Sequence, residues 1–287
     1  RKKKVVDMHS NTHIKEIFNQ PEQDISLVEG ALAICQLRSQ EVNYEHYNEI
    51  IDEYVKGCKE HLEDPNDAAS IIASINHELF SRQNFSGGMN DYYSPANNYL
   101  DTAIEQKTAT PIIISIIYME VARRLNLSLE GVAFPGHFLV KLEIDQGMII
   151  LDPFHGGISL TEDDLYCIMQ QTQGDNSTRA HLQYVLQRKP NKKSVLMRIL
   201  RNLRNAHSKN NDDAHALDMA NFMIELSPND ADNYLSRADI LKRLDCHQQA
   251  VDDYQHYLAL NKCTNSTKEN MIQEYIQSTG QMTQRLN

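Results

Sequence analysis

Residues 132–157 carry a histidine and an aspartate in an order that is typical of thiol acyl-transfer chemistry. His137 follows Pro135-Gly136, and Asp152 follows a second apolar run and precedes a proline. In this chemistry the histidine removes a proton from the nucleophile, and a carboxylate on the next strand orients the histidine. The nucleophile is a cysteine at the start of a helix, because the helix dipole lowers the pKa of its thiol. The pair therefore predicts a cysteine upstream of His137, at a helix N-terminus.

The helix that should carry this nucleophile begins with a proline instead. Apolar periodicity predicts a helix over residues 111–125, with Pro111 at its first position. None of the five cysteines lies between residues 58 and 167, so the sequence excludes direct thiol catalysis from the expected site. Two hydroxyl groups, those of Thr110 and Ser115, are alternative nucleophiles, but a hydroxyl would need His137 as a strong base. We expect Ser115 instead to bond to a helix carbonyl or to face the strands.

Two interpretations of His137 and Asp152 remain open. They form either an inherited structural hydrogen bond that fixes the strands against the helix, or part of a retained binding groove. Simple pairing about the turn at 145–147 sets His137 opposite residue 155, so Asp152 would need a bulge or a diagonal contact to reach it. His155 is predicted to be a loop residue. The three side chains suit zinc, but without a fourth ligand or a metal-spacing motif the sequence predicts no metal site and no cofactor.

The elements around these residues predict a first domain of the α+β class over residues 1–189. Apolar residues at helical spacing predict helices at 25–37, 44–62 and 66–80, a short helix after Pro95 and the helix at 111–125. Alternating apolar and polar residues predict a strand over 132–144, followed by a turn and a second strand at 148–151. Thr161 then caps a further helix. These elements predict helices around a small antiparallel sheet.

From about residue 194 onward the chain predicts helices in a repeating pattern. The segment ELSPND at 225–230 recurs as ALNKCT at 259–264, a displacement of 34 residues that matches the period of tetratricopeptide (TPR) repeats. Small residues occur where the two helices of a hairpin would approach closely, at Ala216, Ala220, Ala238 and Ala250. The sequence therefore predicts an all-α, TPR-like region over 190–287. Hairpins of this kind offer surfaces for peptide segments.

The net charge of −11 arises entirely from the first two thirds of the chain. Residues 1–189 contain 27 acidic and 16 basic residues, and residues 190–287 contain 12 of each. This balance argues against direct binding of nucleic acid, which needs a basic surface. One segment, 176–211, is basic and contains no acid, and it places Arg198, Arg201 and Arg204 at three-residue spacing. This face is either solvated or paired internally, or it is a docking surface for an acidic partner or a phosphate.

The remaining features favour a cytoplasmic protein. No apolar run approaches the roughly 20 residues of a membrane span, and the opening RKKKVV lacks the apolar core of a signal peptide. The scattered cysteines form no CxxC motif and predict reduced core thiols. Tyr92 and Tyr93 are candidates to line the mouth of a cleft, although aromatic residues at this spacing also serve in packing.

Two segments resemble a known bacterial family. The run MNDYYSPANNYLDTAIEQKTATPIIISIIYMEVARRLNLSLEGVAFPGHFLVKL (89–142), followed by ILDPFHGG (150–157), is similar to SirB-type proteins. The resemblance implies a transglutaminase-like, papain-like domain followed by TPR units, in proteins often described as regulators of sirC expression. It also implies a relationship to one animal F-box protein.

The same resemblance implies that the histidine and the aspartate are kept while the cysteine is lost. Alignment to catalytic members through residues 122–126 places the position of the nucleophile on Pro111. In the family the helix usually starts after Gly-Ile-Pro-Ile-Ser, whereas this chain has ATPII at 109–113 and lacks the glycine.

The sequence thus leaves two classes of function. The first is a non-catalytic regulatory module that binds a protein or peptide through the TPR-like region or the degenerate cleft. The second is a papain-like hydrolase or acyltransferase that uses His137 and Asp152 with a hydroxyl nucleophile or a metal-bound water. The missing cysteine favours the first class.

Overall fold

The computed structural model describes residues 12–38, 41–88, 94–145, 147–174, 177–261 and 267–286, with side chains as far as residue 280. These residues form two compact units. The first ends at Ile199, and the second begins at Leu200 and also includes Ser94 and Pro95. The boundary that the sequence predicts between a first domain (1–189) and a second (190–287) stays a prediction.

The first unit contains helices around small sheets, so the protein is of the α+β class. Its helices are α1 (Thr12–Asn19), α2 (Leu27–Cys35), α3 (Tyr44–Glu60), α4 (Ala68–Asn76), α5 (Leu100–Gln106), α6 (Pro111–Arg124), α7 (Glu162–Gln173), α8 (Arg179–Gln187) and the beginning of α9 (Lys192–Lys209). A π-helical segment, His77–Arg82, continues α4. The strands are β1 (Ser86–Gly87), β2 (Thr108–Ala109), β3 (Glu130–Val132), β4 (Leu139–Ile144), β5 (Gly147–Asp152) and β6 (Ile158–Leu160).

Helix α6 is the central helix of this unit. Ten of its 14 residues are buried, including every residue from Pro111 to Tyr118, as expected for a helix whose first two turns are surrounded by other elements. It packs against α2, α3, α4 and α5 and against β3 and β4. At its C-terminal end, Arg124 donates to Asp52 (2.6 Å) and to the side chain of Asn48 (2.6 Å) on α3. These bonds fix the position of α6 and therefore of its first residue, Pro111.

The prediction of a single strand over residues 132–144 was wrong. The segment forms two antiparallel strands, β3 and β4, in which Val132 lies opposite Leu139. Pro135 has no N–H to give to a sheet, and Gly136 has a φ of +69°, which glycine adopts without steric cost. The chain therefore turns over residues 133–138, and His137 lies in this turn instead of on a strand.

The antiparallel sheet has the order β3-β4-β5-β6. Ile144 lies opposite Gly147 and Val140 opposite Leu151, one residue away from the pairing that the sequence suggested. Asp152 is the next residue and the last of β5, so it lies at the same end of the hairpin as the turn that carries His137. One face of the sheet packs on α7 and α8 through a buried cluster of Val132, Phe134, Leu139, Ile150, Leu165, Met169, Leu182 and Leu186.

The second unit consists of helices. They are the end of α9, then α10 (Asp213–Leu226), α11 (Ala231–Arg243), α12 (His247–Leu260) and α13 (Thr267–Leu286), and each of the last four packs against its neighbour in sequence. The small residues Ala238 and Ala250 are fully buried between α11 and α12. Arg237 of α11 forms a two-pronged ion pair with the buried Asp253 of α12 at 2.7 and 2.6 Å. Such bidentate pairs fix the orientation of the two helices as well as their spacing.

Among the described residues, none of the helices has both the length and the apolar character needed to cross a membrane.

Gly157 ties the segment after β5 to α4 and gives a test of this packing. Its φ is +74°, and a Cβ there would lie 2.0 Å from Oδ1 of Asn76. Nδ2 of Asn76 donates to the Gly157 carbonyl (3.1 Å), and its Oδ1 accepts from the hydroxyl of Tyr118 (2.8 Å). Gly157→Ala should break these bonds at a cost of about 1–3 kcal/mol beyond the backbone strain. The melting midpoint should fall by several degrees.

Gly156→Ala is the matched control for this variant. Gly156 has a φ of +80°, but a Cβ there meets nothing within 4 Å. Gly156→Ala introduces the backbone strain of a positive φ without a steric clash, so its melting midpoint should lie clearly above that of Gly157→Ala. Equal midpoints for the two variants would contradict the role of Asn76.

Candidate functional site

The structure brings His137 and Asp152 together at the end of the β4–β5 hairpin. Nε2 of His137 lies 2.8 Å from Oδ2 of Asp152, and both side chains are buried. The other carboxylate oxygen, Oδ1, accepts the backbone N–H groups of Phe154 (3.0 Å) and His155 (3.3 Å). Asp152 therefore caps the short 3₁₀ turn Pro153–His155 and contacts the histidine at the same time. The diagonal contact that the sequence required is made from the turn at 133–138.

His155 joins this pair, although the sequence predicted it to be only a loop residue. Its Nδ1 lies 2.7 Å from the same oxygen, Oδ2 of Asp152, and the two imidazole rings lie 5.8 Å apart. Its side chain is 52% exposed. The signal was present in the sequence, because an aspartate that caps a turn has the residue three positions later beside it.

The two histidines keep Asp152 ionised. Burial alone would raise the pKa of Asp152, but the hydrogen bonds and charges of His137 and His155 outweigh it, and the pKa lies below its usual value. An ionised carboxylate only accepts hydrogen bonds, so the two ring nitrogens that face it both carry a hydrogen. Nδ1 of His137 and Nε2 of His155 are therefore the ring nitrogens that face away from the carboxylate.

Arg198 holds the turn that carries His137. It donates to the backbone carbonyl of His137 at 2.7 Å and to that of Phe134 at 3.4 Å. Its guanidinium also lies over the ring of Phe138 at 5.6 Å. Of the three arginines that the sequence grouped as a candidate docking face, Arg198 is thus engaged inside the first unit.

The other candidates for binding have different surroundings. Arg201 is exposed, and Arg204 donates to the neighbouring Asn205 at 3.0 Å. Burial and the nearby charge of Arg201 lower the pKa of Arg204. Tyr92 and Tyr93 lie outside the described residues. The structure therefore leaves the docking role of these residues as a prediction.

The start of α6 offers a proline and two buried hydroxyls. Thr110 precedes the helix, is 5% exposed, and its Oγ1 has no hydrogen-bond partner within the described part of the chain. Ser115 is fully buried and donates to the carbonyl of Phe138 at 3.4 Å. It thus faces the strands, as the sequence suggested, and this orientation disfavours it as a nucleophile.

A pocket of about 550 Å³ opens beside the histidines. Its walls combine the polar groups of His137, Asp152 and His155 with apolar side chains such as those of Phe154 and Ile158. The other lining residues are Pro111, Pro135, Gly136, Leu160, Asp164, Cys167, Ile168, Gln171 and Thr172. Mixed walls of this kind are typical of ligand sites.

Cys167 is a wall residue that the sequence analysis missed. We predicted core thiols, and Cys35 and Cys58 are indeed buried, but this prediction was wrong for Cys167, which is exposed. Asp164, Cys167, Ile168 and Gln171 recur at the three- and four-residue spacing of one helix face, so α7 turns a single face to the pocket.

Replacing Arg198 by methionine tests whether it holds the His137 turn. Methionine keeps an apolar stem over Phe138 but donates no hydrogen bonds, and losing bonds from a charged donor costs about 1.5–3 kcal/mol. Hydrogen exchange of the amides in residues 134–138 should then accelerate by about tenfold or more. Arg201→Met is the control, and it should leave this segment unchanged. Unaltered exchange in Arg198→Met would show that the turn is held by other contacts.

Comparisons with known proteins agree with this architecture. Residues 45–201 match the model of the transglutaminase-like superfamily, a range that includes His137, Asp152 and Arg198. A UPF0162 protein of Xylella fastidiosa is 30% identical over 246 residues, 85% of this chain and 87% of that protein. A UPF0162 protein of Pseudomonas aeruginosa is 30% identical over 236 residues, 82% of this chain and 85% of that protein.

The expected similarity to an animal F-box protein is confirmed. F-box only protein 21 of Mus musculus is 31% identical over 144 residues, which are 47% of this chain and 21% of that protein. No solved structure matches the chain. The matched range and the coverage of the bacterial relatives lead to one conclusion: this chain belongs to the transglutaminase-like superfamily and to the UPF0162 proteins.

Proposed function

We propose that this protein is a non-catalytic, cytoplasmic regulatory module of the SirB type. Its first unit binds a peptide segment of a partner protein in the pocket beside His137. Its second unit is a short TPR-like array that adds a further protein-binding surface. Nucleic acid is not a direct partner, because the chain carries a net charge of −11.

The observation that carries this proposal is a formed pocket without an activated nucleophile. His137 and Asp152 stand in its wall as a base and its orienting carboxylate would, yet the helix start beside them is Pro111. Cys167 also lines the pocket, but it lies in the middle of α7 and lacks the helix N-terminus that activates catalytic thiols. Ser115 donates to a backbone carbonyl. Binding is the activity that these groups can perform without further chemistry.

The walls of the pocket suit an extended peptide. β6 is the last strand of the sheet, and its residues Ile158 and Leu160 face the pocket. Ile158 is 52% exposed, so it offers apolar surface that a bound peptide can cover. A peptide that lies along this edge would place apolar side chains against Ile158 and Ile168, and its polar groups would meet the histidines.

The second unit supports the TPR-like part of the proposal through its period. α10 begins at Asp213 and α12 begins at His247, 34 residues later, which is the length of one TPR repeat. Ala216, Ala220, Ala238 and Ala250 are all buried. Small buried residues at these places let helices approach closely, as the hairpins of such repeats require.

The absence of catalysis can be tested with a simple ester. We expect hydrolysis of p-nitrophenyl acetate to proceed at the same rate with the wild-type protein and with His137→Gln, because no nucleophile depends on this base. A working general base contributes about a hundredfold or more. A rate that falls by this factor in His137→Gln, or a covalent fluorophosphonate adduct on Thr110 that requires His137, would replace the proposal with a hydroxyl-dependent hydrolase.

Peptide binding can be tested with a displayed library of short random peptides. We expect enriched sequences with apolar anchors whose Kd rises about tenfold or more in Ile158→Gln, because burying an isoleucine contributes about 1.5–3 kcal/mol. Ile144→Gln is the matched control, since Ile144 is 48% exposed on the same sheet but does not line the pocket. Peptides that bind Ile158→Gln as tightly as the wild type would place binding elsewhere and contradict the proposed groove.

A further inference from the structure

His137, Asp152 and His155 form a compact set of metal-ligand atoms in the pocket wall. The two ring nitrogens lie 2.8 and 2.7 Å from the same oxygen, Oδ2 of Asp152, and all three atoms lie within 4.8 Å of one another. Two imidazoles that converge on one carboxylate oxygen can hold a single cation between the three atoms, because each neutral ring can move its hydrogen to the nitrogen that faces away and offer the freed lone pair to the ion. We propose that this set binds one divalent transition-metal ion, with zinc as the best fit.

The donor set matches the chemistry of zinc. Zinc binds imidazole nitrogens and carboxylate oxygens, and the two imidazoles favour zinc over magnesium and calcium, which prefer sites built from oxygen ligands. Zinc–ligand bonds of about 2.0–2.1 Å place the ligand atoms of a tetrahedral site about 3.3 Å apart. Each of the two ring nitrogens must therefore move about half an ångström farther from Oδ2 of Asp152. His155 can make this movement because its side chain is half exposed, while His137 is held by Arg198.

The surroundings prepare the carboxylate for a single ligand bond. Oδ1 of Asp152 is occupied by the N–H groups of Phe154 and His155, so only Oδ2 faces the two histidines. Hydrogen bonds that fix the orientation of a metal ligand raise the affinity for the metal, because the ligand does not have to reorganise when the ion binds. Arg198 does the same for His137 through the backbone. Two of the three protein ligands, Asp152 and His137, are thus oriented before any ion arrives.

The fourth coordination position would open into the pocket. Cys167 and Asp164 line the same cavity, and a site with three protein ligands and an open position takes water or a group of a bound molecule. The ligand that fits this position is a carboxylate or imidazole of a partner peptide. Metal binding itself goes beyond the proposed peptide-binding function and is testable with the metal alone.

A second set of the same residue types serves as an internal comparison. His207, Asp212 and His215 also place their ligand atoms within 4.8 Å of one another, in the second unit. Here Asp212 caps α10, and Nδ1 of His215 contacts both of its oxygens at 2.9 and 2.8 Å. The two rings are stacked at 5.2 Å. Asp212 and His215 thus repeat the capping arrangement of Asp152 and His155, but neither imidazole of this second set lines the pocket described above.

The test is a zinc titration of the metal-free full chain by calorimetry, with cobalt absorption as a report on the ligand set. We expect His155→Ala to lose one equivalent of zinc relative to the wild type, or to raise its Kd at least about a hundredfold. His215→Ala should keep that equivalent. Both substituted side chains are mostly exposed, so melting curves should confirm that the variants fold.

Two results would overturn the site. One is a wild-type protein that binds no zinc, and the other is a His155→Ala variant that binds zinc as the wild type does. The peptide-binding proposal fails separately, because it is measured by the peptide affinity of Ile158→Gln with a chelator present. Zinc binding without any peptide affinity would therefore keep the metal site and remove the proposed function.

Discussion

The carboxylate of Asp152 is the constraint on which the site depends. Its residue is 1% exposed, and a buried charge is tolerated only when hydrogen bonds satisfy it. Two backbone N–H groups bind one oxygen and two imidazoles face the other. To supply these donors, β5 ends at Asp152, a tight turn follows it, and the 133–138 turn lies alongside. Arg198 donates to the carbonyl of His137 in the 133–138 turn, and Asn76 donates to the carbonyl of Gly157, directly after the tight turn.

This constraint gives the pair of His137 and Asp152 a structural role that does not depend on a nucleophile. The hydrogen bond between His137 and Asp152 stabilises the meeting of two turns whether or not a thiol stands beside it, and the loss of either partner would leave a buried polar group unsatisfied. Pro111 suits the first turn of α6 for an independent reason, since that position needs no N–H donor. The structural and the binding interpretations of the pair are therefore compatible, because the same imidazole also forms part of a pocket wall.

The sequence predicted the elements well where one local rule decided them. Pro111 and the apolar run behind it gave the start of α6, and Thr161 gave the capped start of α7, where its hydroxyl accepts from the N–H of Asp164. It failed at residues 132–144, because period-two alternation continued through a turn that Pro135 and Gly136 impose. It also failed at Cys167, since helical spacing shows which residues share a face but not whether that face meets a core or a cavity.

The sequence by itself was enough to identify His137 and Asp152 as a candidate pair and to show that no cysteine stands at the start of α6. It also showed the 34-residue displacement in the C-terminal helices. All of these are local or periodic features, and they are readable because neighbouring residues fix them. Only the tertiary structure decided that His155 shares the carboxylate of Asp152 and that Cys167 faces the same pocket. It also decided that Arg198 binds the carbonyl of His137, 61 residues away in the chain. Contacts of this kind depend on how elements pack, and packing is set by the combined burial of many side chains, which no short segment of sequence encodes.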